Sequence, residues 1–132
     1  MLHAAAQVAA PAPRVWQLLI DTHTWPQWGP SLRAVDAPAR FITTGLRGSV
    51  QTAPGFWLQF EITDWEEGRA WAWRVGGIPA TGHRVTPLTE RSCRVEFTIP
   101  SWAPFYVPVC RLALRRLDAL ARRGLECHGP GT

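Results

Sequence analysis

The sequence predicts an α+β fold: a curved antiparallel sheet closed by a single long helix. Three observations predict it. One amphipathic helical segment lies near the N-terminus, over residues 13–20. From residue 46 to residue 99, short stretches of alternating apolar and polar residues follow one another, with only Pro/Gly or charged turns between them. That spacing leaves no room for the crossover helices that parallel strands require. The chain then finishes in one long amphipathic helix. A sheet and helix arranged in this way are expected to enclose a cavity between their apolar faces.

Composition sets the outer limits. The 132 residues fit one domain, over residues 1–128, with a flexible Gly-Pro-Gly tail at 129–132. A chain of this size buries roughly two-thirds of its unfolded surface, enough for a core without metal or disulfide help. The net charge of +4 comes with 14 arginines and no lysine, and no basic run focuses it. Cys93, Cys110 and Cys127 form no C-x-x-C pair and leave an odd count. Residues 1–12 lack the charged start and strong apolar centre of a secretion signal. No stretch reaches the ~18 apolar residues of a spanning helix. The cytoplasm is the expected compartment, and no stable membrane insertion is expected.

Taken in order, residues 2–9 read as a weakly coded, alanine-rich strand. Pro11 and Pro13 stop it and open a helix whose apolar face is Val15, Trp16, Leu18, Leu19 and Ile20. Asp21 ends that helix, and a short second one covers residues 24–28 before Gly29-Pro30 terminates it. A second strand is expected at 33–37. The remaining strands present Leu46, Gly48, Val50 and Thr52; Phe56, Leu58, Phe60 and Ile62; Trp71, Trp73 and Val75; His83, Val85 and Pro87; and Cys93, Val95, Phe97 and Ile99 to one face. The opposite face carries both charge signs, at Glu61, Arg74, Arg84, Arg94 and Glu96, and reads as solvated. Ser101 is expected to cap the final helix, with Pro104 in its first turn and Pro108 kinking or delaying it. A broad apolar arc, from Phe105 and Leu112 through Cys110, Ala113, Leu117 and Ala121, suits a helix inside a sheet that curls round it.

These elements, in this order, resemble the helix-grip (START-like, SRPBCC) superfamily, and within it the polyketide cyclase/dehydratase-like proteins. The resemblance is carried by Ala10-Pro11, Val15-Trp16, Asp21, Trp25-Pro26, Trp28 and Pro30, with support from Gly45, Gly48 and His83-Arg84-Val85. It implies a seven-stranded antiparallel sheet gripping the C-terminal helix, two small helices between strands 1 and 2, and an apolar cavity. It implies as ligands lipids, sterols, polyketides, hormones or quinone-like molecules, with cyclisation or dehydration in a minority of relatives. This chain departs from the pattern in its alanine-rich first strand and in the turn at residues 89–92.

The expected site follows from the inward faces. Ligand-binding candidates are Trp25, Val50, Leu58, Phe60, Trp71 and Trp73 from the first part of the chain. His83, Val85, Phe97, Tyr106, Val109, Cys110 and Ala113 complete the set. Trp16 and Trp28 read as core rings. Catalytic candidates are His83, as general acid/base or carbonyl-orienting group, Tyr106 through its hydroxyl, and Arg116 as an oxyanion or carboxylate partner. The competing readings are a hydrogen-bonded core histidine and an arginine reaching outward with its stem buried. Thr52 and Thr81 are possible minor polar contacts. Cys93 and Cys110 face inward and behave as small apolar residues unless a base is in reach. The histidines at 3, 23, 83 and 128 have no metal-ligand spacing, and neither metal nor cofactor is expected. The expected partner is a small hydrophobic molecule, a lipid or polyketide-like aromatic; the mixed-charge sheet face argues against nucleic acid. A cyclase-type enzyme is the alternative function. An outward-facing Trp57 would fit a third role, a homodimer or partner contact.

Overall fold

The structure, a computed structural model, describes residues 1–127, with side chains through Arg123. The predicted tail at 129–132, and His128, lie outside the described residues. The chain runs β1 (Leu2–Val8), α1 (Ala12–Ile20), α2 (Trp25–Trp28), β2 (Leu32–Asp36), β3 (Arg47–Thr52) and β4 (Trp57–Glu66). It continues with β5 (Ala70–Val75), β6 (Ile78–Thr89), β7 (Ser92–Ile99), a 3-10 turn at Pro104–Tyr106, and α3 (Val107–Cys127). The seven strands form one antiparallel sheet in the order β1-β7-β6-β5-β4-β3-β2. After β1 the two short helices carry the chain to the far edge. Five hairpin steps then return it, and β7 pairs with β1, Leu2 facing Ile99 and Val8 facing Cys93.

Local sequence explains most of these boundaries. Pro11 and Pro13 open α1 where a missing N–H costs nothing. Asp21 then ends it and holds the loop beyond. Its carboxylate accepts both arms of the Arg40 guanidinium, at 3.0 and 2.9 Å, and the backbone N–H of His23 at 3.0 Å. Backbone bonds from Thr22 to Arg40 and from Ile42 to Ile20 finish the stitch. The irregular stretch before β3 is thereby fixed against α1. Gly76 and Gly77, with φ of 62° and 78°, make the tight β5–β6 turn that only glycine adopts without strain.

The inward alternation holds along β7, where Cys93, Val95, Phe97 and Ile99 are all buried. It fails at two ends: Phe56 lies in the turn before β4 and is exposed, and so is Pro87. Strands β4 and β6 run longer than their alternation suggests. Bulges near Ile62–Asp64 on β4, at the start of β6 opposite Ala72–Arg74, and near Pro87–Thr89 break the period and hide the extra length.

The C-terminal helix departs furthest from expectation. Ser101 caps nothing; the 3-10 turn starts after Ala103, and Pro108 sits in the first turn of a helix that begins only at Val107. The buried stripe is narrow: Cys110, Ala113, Leu114, Leu117 and Ala121. Leu112 is 40% exposed and Phe105 69%, so neither belongs to the inner arc. The reason lies in β1. Its alanine-rich face, with Ala4 buried, lets α3 settle against that edge of the sheet. The middle of the sheet is left to α2.

Gly48 shows how tightly the sheet packs there. A Cβ added at this position would sit 2.6 Å from the Asp36 carbonyl oxygen and 2.8 Å from the Phe60 ring. Gly48→Ala is expected to lose roughly 1–3 kcal/mol of unfolding free energy through overpacking, measured by urea denaturation. A neutral substitution would show that β2 and β3 can spread.

Candidate functional site

The concave face of the sheet is filled by rings. From α2, Trp25 stacks on Trp71 (centroids 5.5 Å apart, 13° between planes) and meets Trp73 edge-on at 5.3 Å and Phe60 at 5.6 Å. Trp28 packs against Phe97 and His83, and His83 stacks on Trp71 at 4.0 Å. The indole N–H groups of Trp25 and Trp28 donate to the carbonyls of Leu19 and Leu18, which fixes both rings against the end of α1. The cluster is therefore anchored at both ends, by strand alternation below and by the α1–α2 corner above.

On the side of the sheet that faces α2 and α3, two spaces lie beside these rings. An inner chamber of about 40 Å³ lies among Trp25, Trp28, Trp71, His83, Phe97 and the Cys110–Ala113 face of α3. An outer chamber of about 340 Å³ opens between β3–β6 and the link into α3, walled by Val50, Leu58, Val75, Ile78, Ile99 and Phe105. Ser31, Leu32, Trp73, Thr81 and Tyr106 line both and form the partition. Across it, the hydroxyls of Ser31 and Tyr106 share a hydrogen bond of 2.5 Å. Neither chamber is lined by an Asp, Glu or Arg side chain.

The polar groups in these walls are mostly spoken for. His83 Nδ1 lies 3.3 Å from the Trp71 carbonyl oxygen and Nε2 lies 3.0 Å from Thr81 Oγ1. Trp73 Nε1–H donates to the same Thr81 oxygen at 3.2 Å. One assignment satisfies all three: His83 carries its proton on Nδ1 and gives it to Trp71, while Thr81 donates to Nε2 and accepts from Trp73. Burial pushes the imidazolium down to about 3, with the Trp71 carbonyl opposing weakly, so the ring is neutral at physiological pH. Burial likewise pushes the Cys93 and Cys110 thiols up to about 11, the charge of Asp118 adding to the effect at Cys93. Neither is a thiolate at neutral pH. Burial also raises the Tyr106 phenol, with the Ser31 hydrogen bond opposing. The indole N–H of Trp71 has no hydrogen-bond partner among the described residues.

Eleven of the thirteen predicted binding residues line a chamber. Trp25, Trp71, His83, Phe97, Val109, Cys110 and Ala113 border the inner one; Val50 and Leu58 border the outer; Trp73 and Tyr106 border both. Phe60 and Val85 border neither. Phe60 is held against Trp25 and Trp73, and Val85 is fully buried on β6, a strand that α1 packs against. Thr81 and Thr52 reach the walls as suggested. Among the catalytic candidates, His83 and Tyr106 share the inner chamber but Arg116 does not. It stands exposed on the outer side of α3. With both nitrogens of His83 engaged, no acid–base pair converges on the space. Trp16 and Trp28 are core rings, and Trp57 is 53% exposed.

The residues that the sequence concealed are Ser31, Leu32, Ile78, Pro79, Ala80 and Trp102. Thr81 and Pro79 continue the phase of His83 backwards, but a proline inside the run argues against a strand. Trp102 belongs to an irregular link that carries no period at all. Among the described residues, no group of three or more His, Cys, Asp or Glu side chains is placed to hold a metal ion. No helix among them is long and apolar enough to cross a membrane.

The family described as "Polyketide cyclase / dehydrase and lipid transport" matches residues 2–126, nearly the whole described chain. The chain belongs to that family. No curated protein matches it. Among solved structures, it is similar to a protein from Thermobifida fusca determined by NMR, at 21% identity and a TM-score of 0.67, covering 92% of this chain and 93% of that one. It is similar also to protein NE0264 from Nitrosomonas europaea, at 14% identity and a TM-score of 0.68, covering 95% and 96%. A point mutant of norcoclaurine synthase from Thalictrum flavum, solved with a transition state analogue, matches at 13% identity and a TM-score of 0.61, covering 93% and 94%. At these identities the structures share the fold. The polyketide cyclase/dehydrase and lipid transport family thus supplies the architecture in which the two chambers lie.

Proposed function

We propose that the chain binds a small apolar molecule, a lipid or polyketide-like aromatic, with its body in the outer chamber. The observation that carries this reading is the 340 Å³ space itself, walled by aliphatic and aromatic side chains without a charged group. Closing such walls around an apolar guest gains roughly 25 cal/mol for each Å² removed from water. The family's description, which joins polyketide chemistry with lipid transport, supports the class of ligand. Norcoclaurine synthase, solved in complex with a transition state analogue, supports small-molecule binding by a protein of this fold. The unbridged thiols of Cys93 and Cys110 suit the reducing cytoplasm as the place of action.

Trp73 and Trp102 both border the outer chamber, so they report on its occupancy. Titration with naphthalene or dodecanol should quench tryptophan emission saturably. Ala80→Trp, which pushes a large ring into the chamber from its wall, should weaken binding at least tenfold. Quenching that rises linearly in both proteins would contradict the proposal.

A further inference from the structure

We infer that the ligand is electrically neutral and carries an oxygen acceptor, a carbonyl or hydroxyl, that meets the Ser31–Tyr106 hydroxyl pair where the two chambers join. This inference deepens the proposed binding function and rests on it. His83, Thr81 and Trp73 satisfy one another, and the Thr52 hydroxyl donates to the Phe56 carbonyl. The Trp71 N–H is covered by its neighbours and presents no surface to either space. The Ser31–Tyr106 pair is different. Two hydroxyls bring two protons to one mutual hydrogen bond, whichever of them donates. One O–H is left, and it has no acceptor among the described residues. Both residues border both chambers, so that proton is available at the junction.

The same walls select against charge. A carboxylate or phosphate drawn inside would lose its hydration and meet no cation, a large cost in an apolar setting. A neutral carbonyl loses far less and recovers a hydrogen bond from the pair. The volumes agree with this division. The outer chamber holds an apolar body, and the inner 40 Å³ has room for only one to three water-sized groups beside the polar atom.

Three probes with one carbon skeleton separate the effects: naphthalene, 2-acetylnaphthalene and 2-naphthoate, titrated by calorimetry into the wild-type chain and into the Ser31→Ala/Tyr106→Phe double variant. The inference expects the ketone to bind about tenfold more tightly than the hydrocarbon, and the carboxylate no more tightly than the hydrocarbon. Either single substitution frees the remaining hydroxyl's proton, so the ketone's advantage over naphthalene should disappear only in the Ser31→Ala/Tyr106→Phe double variant, which removes both donors. The wild-type comparison of ketone with hydrocarbon keeps the inference open to refutation if the double variant misfolds. Equal affinity for ketone and hydrocarbon in the wild-type chain, or a ketone advantage that survives in the double variant, overturns the inference while the binding function stands. A carboxylate that binds as tightly as the ketone overturns it in favour of charge capture. Failure of all three probes to bind overturns the proposed function and this inference together.

Discussion

Trp25→Ala is expected to remove about 4 kcal/mol from the unfolding free energy, a large part of the ~5–15 kcal/mol that a domain possesses. The ring is 1% exposed, contacts three other rings and ties α2 to the Leu19 carbonyl. Truncation therefore loses transfer energy, leaves a void that stacked indoles on a rigid sheet cannot close, and orphans a buried carbonyl. Trp57→Ala, at an exposed ring, is the matched control and should change stability by no more than ~0.5 kcal/mol. Urea midpoints at constant slope measure both. A loss below about 1 kcal/mol for Trp25→Ala would mean that the ring cluster is not what holds α2 on the sheet.

The second large effect is a fall in stability on mild acidification. The folded chain holds His83 neutral, its titration lowered from 6.5 to about 3. Above pH 6.5 the ring is neutral in folded and unfolded chains alike, and its contribution is fully present. Below that, the unfolded chain takes up a proton that the folded chain refuses. Stability then drops by about 1.4 kcal/mol per pH unit until the pH nears 3, or about 3 kcal/mol by pH 4.5. Carboxylates titrate over part of the same range, so the informative quantity is the difference between wild type and His83→Gln. Glutamine sacrifices some neutral-pH stability but does not titrate. The gap between the two proteins should narrow steadily as the pH falls from 6.5 to 4.5. A constant gap would show that the imidazole is protonated in the folded state, and the assigned hydrogen-bond chain through Thr81 and Trp71 would be wrong.

The two predictions probe the parts that the sequence declares with different clarity. Strand order, the helix pair after β1 and the terminal helix follow from alternation, turn residues and the Ala10-Pro11 to Pro30 signature. These are local signals that survive folding intact. The inward placement of Trp71, Trp73, His83 and Phe97 follows from the same period of two. What could not be read is how the facing surfaces divide the space. The broad arc on α3 suggested a helix wrapped by sheet, yet alanines on β1 draw the helix to one edge and leave Leu112 and Phe105 exposed. Two tryptophans from a four-residue helix then fill the middle. The vacancy moves outward to walls built from Ile78, Pro79, Ala80 and Trp102. Those residues sit at a bulged strand start and in an aperiodic link, where no pattern advertises a face. Arg116 was misplaced as a site candidate for a related reason: it stands at the border of a helical arc, and only the helix's true tilt decides which side it joins.

The central claim is that the rings of α2 and the sheet fill all but a small chamber of the interior, and that the body of a guest is received beside them in the outer chamber. A crystal structure of the chain with 2-acetylnaphthalene tests this most directly. The account predicts the bicyclic ring between Val50, Leu58, Ile78 and Ile99, its oxygen at the Ser31–Tyr106 pair, and Trp25 still stacked on Trp71. A ligand lodged in place of the Trp25 ring, with the stack broken open to admit it, would contradict the account.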